Sequence, residues 1–200
     1  MDEHLLRKIA LKLGLELPKN PQENEISQQL TSGERHKADV KKTNIHKETL
    51  KIDEGSQVGL LQFQMDKEAV DHCLDIYRQH YNEAVATSFL CEYDANATVY
   101  AIHLIIDVLK QYFHCMFKGM DIFQAKAKEI ITYLDRLSPY VRNEEAALGY
   151  TYEFPELGIT FWRGNVCNEE DLEADWFKQL HPNIQEDTKR YLYFETVTFY

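Results

Sequence analysis

The chain has 200 residues, 44% of them hydrophobic, and carries 33 Asp and Glu against 22 Lys and Arg, a net charge of −11. That length suits one domain, or one domain with an appendage, and is enough to bury a core. No apolar run approaches the roughly 18–20 residues that span a bilayer, and a surface of this sign repels phosphate backbones, so neither a membrane nor nucleic acid is an expected partner of the main domain.

The charge is uneven. Residues 1–55 hold ten basic and ten acidic side chains, whereas residues 143–200 hold twelve acidic against four basic, a net of −8. Such a surface serves solubility, and it also draws a basic partner and speeds the encounter. Cys73, Cys91, Cys115 and Cys167 form no CxxC pair, which suits reduced thiols, and the charged start MDEHLLRK lacks a small-residue cleavage site. A cytoplasmic protein is the expectation.

Residues 2–15 read as a short amphipathic helix, with Leu5, Leu6, Ile9 and Leu13 on one face and Arg7, Lys8 and Lys12 opposite. Residues 18–56 contain few large apolar residues and no aromatic, the composition of a polar linker. Domain boundaries follow: residues 1–56 as helical arm plus linker, and residues 57–200 as an acidic α+β domain. QVGLLQF fits a strand. Asp66 is a candidate N-cap for a helix running to about Leu90, with Val70, Cys73 and Tyr77 at helical spacing. Residues 94–118 read as a second long helix with a broad apolar stripe through Val99, Ile102, His103, Ile106 and Leu109. Residues 121–137 read as a third, stopped by Ser138-Pro139.

The period then changes to two. In ALGYTYEF, Leu148, Tyr150, Tyr152 and Phe154 share a face, and Ile159 and Phe161 resume strand rhythm after Pro155-Glu156-Leu157-Gly158. Pro155 sets φ and Gly158 accepts a positive φ, so FPELGITFWRG is a tight connection between two strands. Asn168 is a candidate N-cap for a helix EEDLEADWFKQL, ended by His181-Pro182, and RYLYFETVTFY closes the chain as a strand apolar on both faces, central in its sheet. The expected fold is α+β: a three-helix layer packed on a small antiparallel sheet.

No motif identifies a reaction. There is no GxSxG, GxGxxG, GKS, GKT, HExxH or CxxC, and the histidines lack the i, i+4 spacing of a helical ligand pair. Neither a metal nor any other cofactor is expected, no catalytic residue is assigned, and no small-molecule ligand is indicated. The adjacent pairs His72-Cys73 and His114-Cys115 would point apart on a helix. The densest candidates for recognition are Glu153, Glu156, Trp162, Arg163, Glu169, Glu170, Asp171, Glu173, Asp175 and Trp176, where aromatic anchors interleave with carboxylates able to bond Arg and Lys of a basic partner. Trp162 and Trp176 fit either a core or an interface, and Arg163 fits either a partner contact or a pair with a nearby acid.

The segments ELGITFWR, DWF and YLYFETVTF resemble the carboxy-terminal parts of immunity proteins from bacterial polymorphic toxin systems. The resemblance covers roughly residues 145–200. It implies a non-enzymatic inhibitor that binds and blocks a cognate toxin domain one to one, through an acidic face. The other reading of the residues is a hydrolase-type enzyme with a site assembled from dispersed His, Cys and carboxylate side chains.

Overall fold

The computed structural model describes residues 46–200; the helix expected at residues 2–15 and the linker as far as residue 45 lie outside them. Ahead of Gln57, where a linker was expected, the chain already forms strands β1 (Glu48–Leu50) and β2 (Ile52–Asp53). Leu50 is buried and Ile52 packs against the core, and pairing of β1 with a strand at Phe113–Phe117 and of β2 with one at Gln57–Val58 holds them extended. QVGLLQF becomes two short strands, β3 (Gln57–Val58) and β4 (Leu61–Gln62), which form a meander with β2.

Helix α1 (Lys67–His80) starts as its sequence dictates. The Asp66 carboxylate accepts from Ala69 N at 2.9 Å, Glu68 occupies the first turn, and Val70, Cys73 and Tyr77 turn inward. It stops at His80. Asn82 caps a separate turn, α2 (Glu83–Ala86), before β5 (Phe89–Tyr93).

The helix expected over residues 94–118 is not formed. The Asp94 carboxylate accepts from Asn96 N and Thr98 N, both at 2.9 Å, and Ala97 takes φ 60°, which closes a hairpin into β6 (Val99–Ile105). A single turn, α3 (Ile106–Leu109), leads to β7 (Phe113–Phe117) and β8 (Met120–Asp121). A broad apolar run satisfies a helix and a central strand equally, and its β-branched Val99, Ile102 and Ile105 favour the strand. The third expected helix shrinks to α4 (Ala127–Leu134), because Asp121 serves β8 and the turn after it. The chain is therefore mixed α and β, but the expected three-helix layer is not formed: among the described residues one long helix, α1, remains, and strands take most of the segments expected as helix.

The remaining elements are α5 (Glu144–Leu148), β9 (Thr151–Phe154), β10 (Ile159–Trp162), α6 (Asp175–Lys178), α7 (Pro182–Lys189) and β11 (Thr196–Phe199). Strands β9 and β10 pair antiparallel with Phe154 opposite Ile159, and the connection is a 3-10 turn, Pro155–Leu157, closed by Gly158 at φ 60°. EEDLEADWFKQL splits into a 3-10 turn, Glu169–Glu173, and α6, with Ala174 extended between them. Pro182 begins a helix rather than ending one, its fixed φ suiting the first helical position. Of the expected last strand only Thr196–Phe199 is extended in the sheet, after a 3-10 turn at Arg190–Leu192.

Five strands form one antiparallel sheet in the order β5-β6-β11-β10-β9; β11 is central as expected, but only Val197 and Phe199 give it an apolar face, while Thr196 and Thr198 lie on the other. A second sheet, β1-β7-β8, contains the parallel pair β1 and β7. The inner face of the large sheet supplies much of the core through Phe89, Leu104, Val197, Phe161 and Phe154.

Candidate partner-binding surface

Alternation along β10 sends Ile159 and Phe161 into the core and Thr160 and Trp162 outward. Trp162 is 42% exposed, so it belongs to the surface. Its ring lies over Gly164, where an added Cβ would come within 3.1 Å of the indole.

Arg163 goes the other way. It is only 5% exposed, and it pairs with no acid among the described residues. Its Nε donates to Gly149 O at 2.8 Å and its Nη1 to Tyr191 O at 2.9 Å, with a longer bond to Cys167 O at 3.4 Å. The guanidinium sits 5.6 Å from the centre of the Phe194 ring, and burial pushes its pKa down. Both expectations for Arg163 are thereby corrected: it is a clamp joining three backbone segments, not a partner contact. It was misread because sequence shows a charge beside an exposed aromatic but not the three carbonyls that converge on it.

Register then defines the outer face of the sheet. Leu90, His103, Thr198, Thr160 and Glu153 form one row from β5 to β9, and Ile105, Thr196, Trp162 and Thr151 form another. Along β5, Glu92 shares the face with Leu90. Its carboxylate accepts from the Tyr100 hydroxyl and bonds His103 Nε2 at 2.8 Å, while His103 Nδ1 bonds Thr198 Oγ1 at 2.8 Å. The Tyr100 bond holds the Glu92 carboxyl below its ordinary pKa, His103 adding to the effect. Sequence reasoning missed Glu92, Tyr100 and His103 because it placed residues 94–118 on a helix; reading β6 as a strand after an Asp-closed hairpin would have found them.

The acidic segment is partly neutralised from within. Glu169 pairs with Lys126, Glu170 with Lys128 at 2.7 Å and Glu173 with Lys178 at 3.0 Å. Asp171 turns back to accept from Asn168 N at 2.7 Å. Glu153, Glu156 and Asp175 have no ion-pair partner among the described residues. Trp176 is 51% exposed and meets Phe177 edge to face, with ring centres 5.8 Å apart. Thus Glu153 and Trp162 share the open sheet face, whereas Glu169, Glu170, Asp171, Glu173, Asp175 and Trp176 lie on the segment that follows Asn168.

A small polar cleft of about 150 Å³ lies beside Arg163, lined by Asp107, Asn165, Arg190, Tyr191, Phe194 and Glu195. Glu195 Oε1 accepts from Gly164 N at 3.0 Å, and Asp107 pairs with Lys110 at 2.5 Å. Its volume holds about five waters, or one side chain.

Other chemistry is sparse. Cys73, Cys115 and Cys167 are buried; burial pushes the Cys91 thiol up to about 11 and raises Cys115 further. Alternation puts Cys115 inside and half-exposes His114, which bonds Asp121 Oδ2 through Nδ1 at 2.7 Å. Asp121 Oδ1 is itself held by Cys115 N at 3.1 Å and Phe123 N at 3.2 Å. Among the described residues no group of three or more His, Cys, Asp or Glu side chains is arranged to hold a metal, and no helix is long and apolar enough to cross a membrane.

Compared with family models, curated proteins and solved structures, the chain matches none of them.

Proposed function

We propose that the chain is a non-enzymatic protein-binding module of the immunity type, which binds and neutralises a cognate basic toxin domain through an acidic, aromatic surface in the cytoplasm. The observation that carries this reading is Trp162, a large aromatic held outward on the sheet face that also carries Glu153, one row away. Exposed aromatics rimmed by charge are the anchors of protein interfaces, and Glu153, Glu156, Asp175 and Trp176 extend the same chemistry. The cleft beside Arg163 has room for one inserted side chain.

The test is a pull-down from the native host with the tagged full chain, at low and then at high salt, read by mass spectrometry. One stoichiometric basic protein, weakened at high salt and harmless to cells when co-expressed with this chain, is the expected result. Absence of any partner at both salts overturns the reading. The second reading, a hydrolase-type enzyme, draws on the His114–Asp121 pair, in which a carboxylate orients a half-exposed imidazole as in general-base catalysis. Hydrolysis of ester, peptide or phosphodiester substrates that is lost in His114→Ala would favour it.

A further inference from the structure

The geometry points to the open face of the five-stranded sheet, between Glu92 and Glu153, as the docking site for a short, extended, cationic polypeptide segment. This rests on the reading of the chain as a protein-binding module and names where, and with what chemistry, it binds. Three observations carry it.

First, the five strands contain no Lys or Arg at all, so their only formal charges are Glu92 and Glu153. Register places these on the two edge strands, four strand spacings apart and two residues offset along the strand, about 20 Å in all. An extended segment with basic residues about six positions apart matches that span. Second, four large apolar side chains are exposed on this one face: Leu90, Tyr100, Trp162 and Tyr200. Trp162 and Tyr100 offer ring faces to a guanidinium or ammonium group. Third, the strip between the carboxylates is lined by His103, Thr198 and Thr160, with Thr196 in the next row; the threonines are short hydroxyl side chains that leave a backbone room to approach and can bond it. The segment 169–173 competes poorly for the same ligand, because Lys126, Lys128 and Lys178 already engage its glutamates.

The experiment titrates the full chain with a deca-arginine peptide at low salt and follows tryptophan emission. Trp176→Phe leaves Trp162 as the only reporter, and Trp162→Phe leaves Trp176. The expected result is a saturable change in the Trp176→Phe chain, none in the Trp162→Phe chain, and affinity weakened roughly tenfold by Glu92→Gln with Glu153→Gln. Glu186→Gln with Asp187→Asn, an equal loss of charge elsewhere, should weaken it less than about twofold. Equal weakening by both pairs would reduce the effect to net charge and overturn the proposal. A response from Trp176 alone, lost in Glu169→Gln with Glu170→Gln, would move docking to the acidic segment; the protein-binding reading would then survive and the sheet face would not. No saturable change at either tryptophan overturns the face as a cationic site, while the pull-down independently decides the broader reading.

Discussion

Replacing Arg163 by Met isolates what its guanidinium does, because Met keeps much of the side-chain volume and removes the charge and the donors. Two opposed terms are at stake. The Gly149 carbonyl, accepting at 2.8 Å, loses its donor, and Tyr191 O loses its 2.9 Å bond while keeping one from Cys167 N at 3.3 Å; a buried polar group left unsatisfied costs about 1–3 kcal/mol. The 3.4 Å bond to Cys167 O is too long to add much. Against this, a charge with no carboxylate partner is no longer held out of water, and swapping buried ionic groups for apolar ones is often neutral or stabilising. Three segments distant in sequence converge on one side chain, so we expect the lost bonds to win, with a net destabilisation of about 2–3 kcal/mol. For a chain of this size that lowers Tm by roughly 5–10 °C. Urea and thermal unfolding followed by circular dichroism measure it. Arg163→Lys should recover less than half, since an ammonium lacks the planar fork that reaches separate carbonyls. A Met variant as stable as the parent, or more so, would refute the reasoning: desolvation would then outweigh the clamp.

Gly158→Ala should cost at least about 1–2 kcal/mol in urea unfolding, since φ is 60° and the new Cβ would lie 2.6 Å from Tyr200 O. Tyr77→Phe should cost about 1–3 kcal/mol by the same assay, because the Tyr77 hydroxyl accepts from Leu60 N at 3.0 Å and the amide would be left without a partner. Burial raises the Tyr77 pKa, so the stability it contributes is fully present below about pH 10 and is lost as pH rises through its folded value; alkaline unfolding curves of Tyr77→Phe should show a shallower loss. Phe161→Ala, emptying a site packed between Phe154 and Phe194, should cost about 3–5 kcal/mol. Glu169→Lys with Glu170→Lys sets like charges against Lys126 and Lys128, and should lower Tm slightly at low salt and not at high salt.

The legible parts of the sequence were those whose cause is local. Asp66 with Ala69 three residues on fixes the start of α1, and Pro155 with Gly158 fixes the turn between β9 and β10. Val197 and Phe199, alternating with Thr196 and Thr198, mark residues 196–199 as a strand with one face in the core. What sequence concealed depended on distant partners. Nothing near Leu50 says that it pairs in parallel with β7, and nothing near Val99 says that strands will pair along both edges of that run. That one misreading hid Glu92, Tyr100 and His103 as a group, since their contacts exist only when β6 is a strand. Arg163 was misread for a related reason: the composition around it suggested a surface, and its true partners are carbonyls up to 28 positions away.

The same distinction bears on charge. The net of −8 over residues 143–200 treats each carboxylate as available, yet Lys126 and Lys128, outside that window, neutralise Glu169 and Glu170. Opposite charges within a few ångströms cancel for any approaching partner beyond the Debye length of roughly 8–10 Å, so paired acids contribute little to steering. Glu92 and Glu153 differ because the five strands carry no Lys or Arg to pair with them, Glu92 bonding instead to Tyr100 and His103. The local sign of the sheet face, rather than the total charge of the chain, is therefore what a basic partner meets on contact. Binding at that face should lose affinity with salt in proportion to two carboxylates, not to eight.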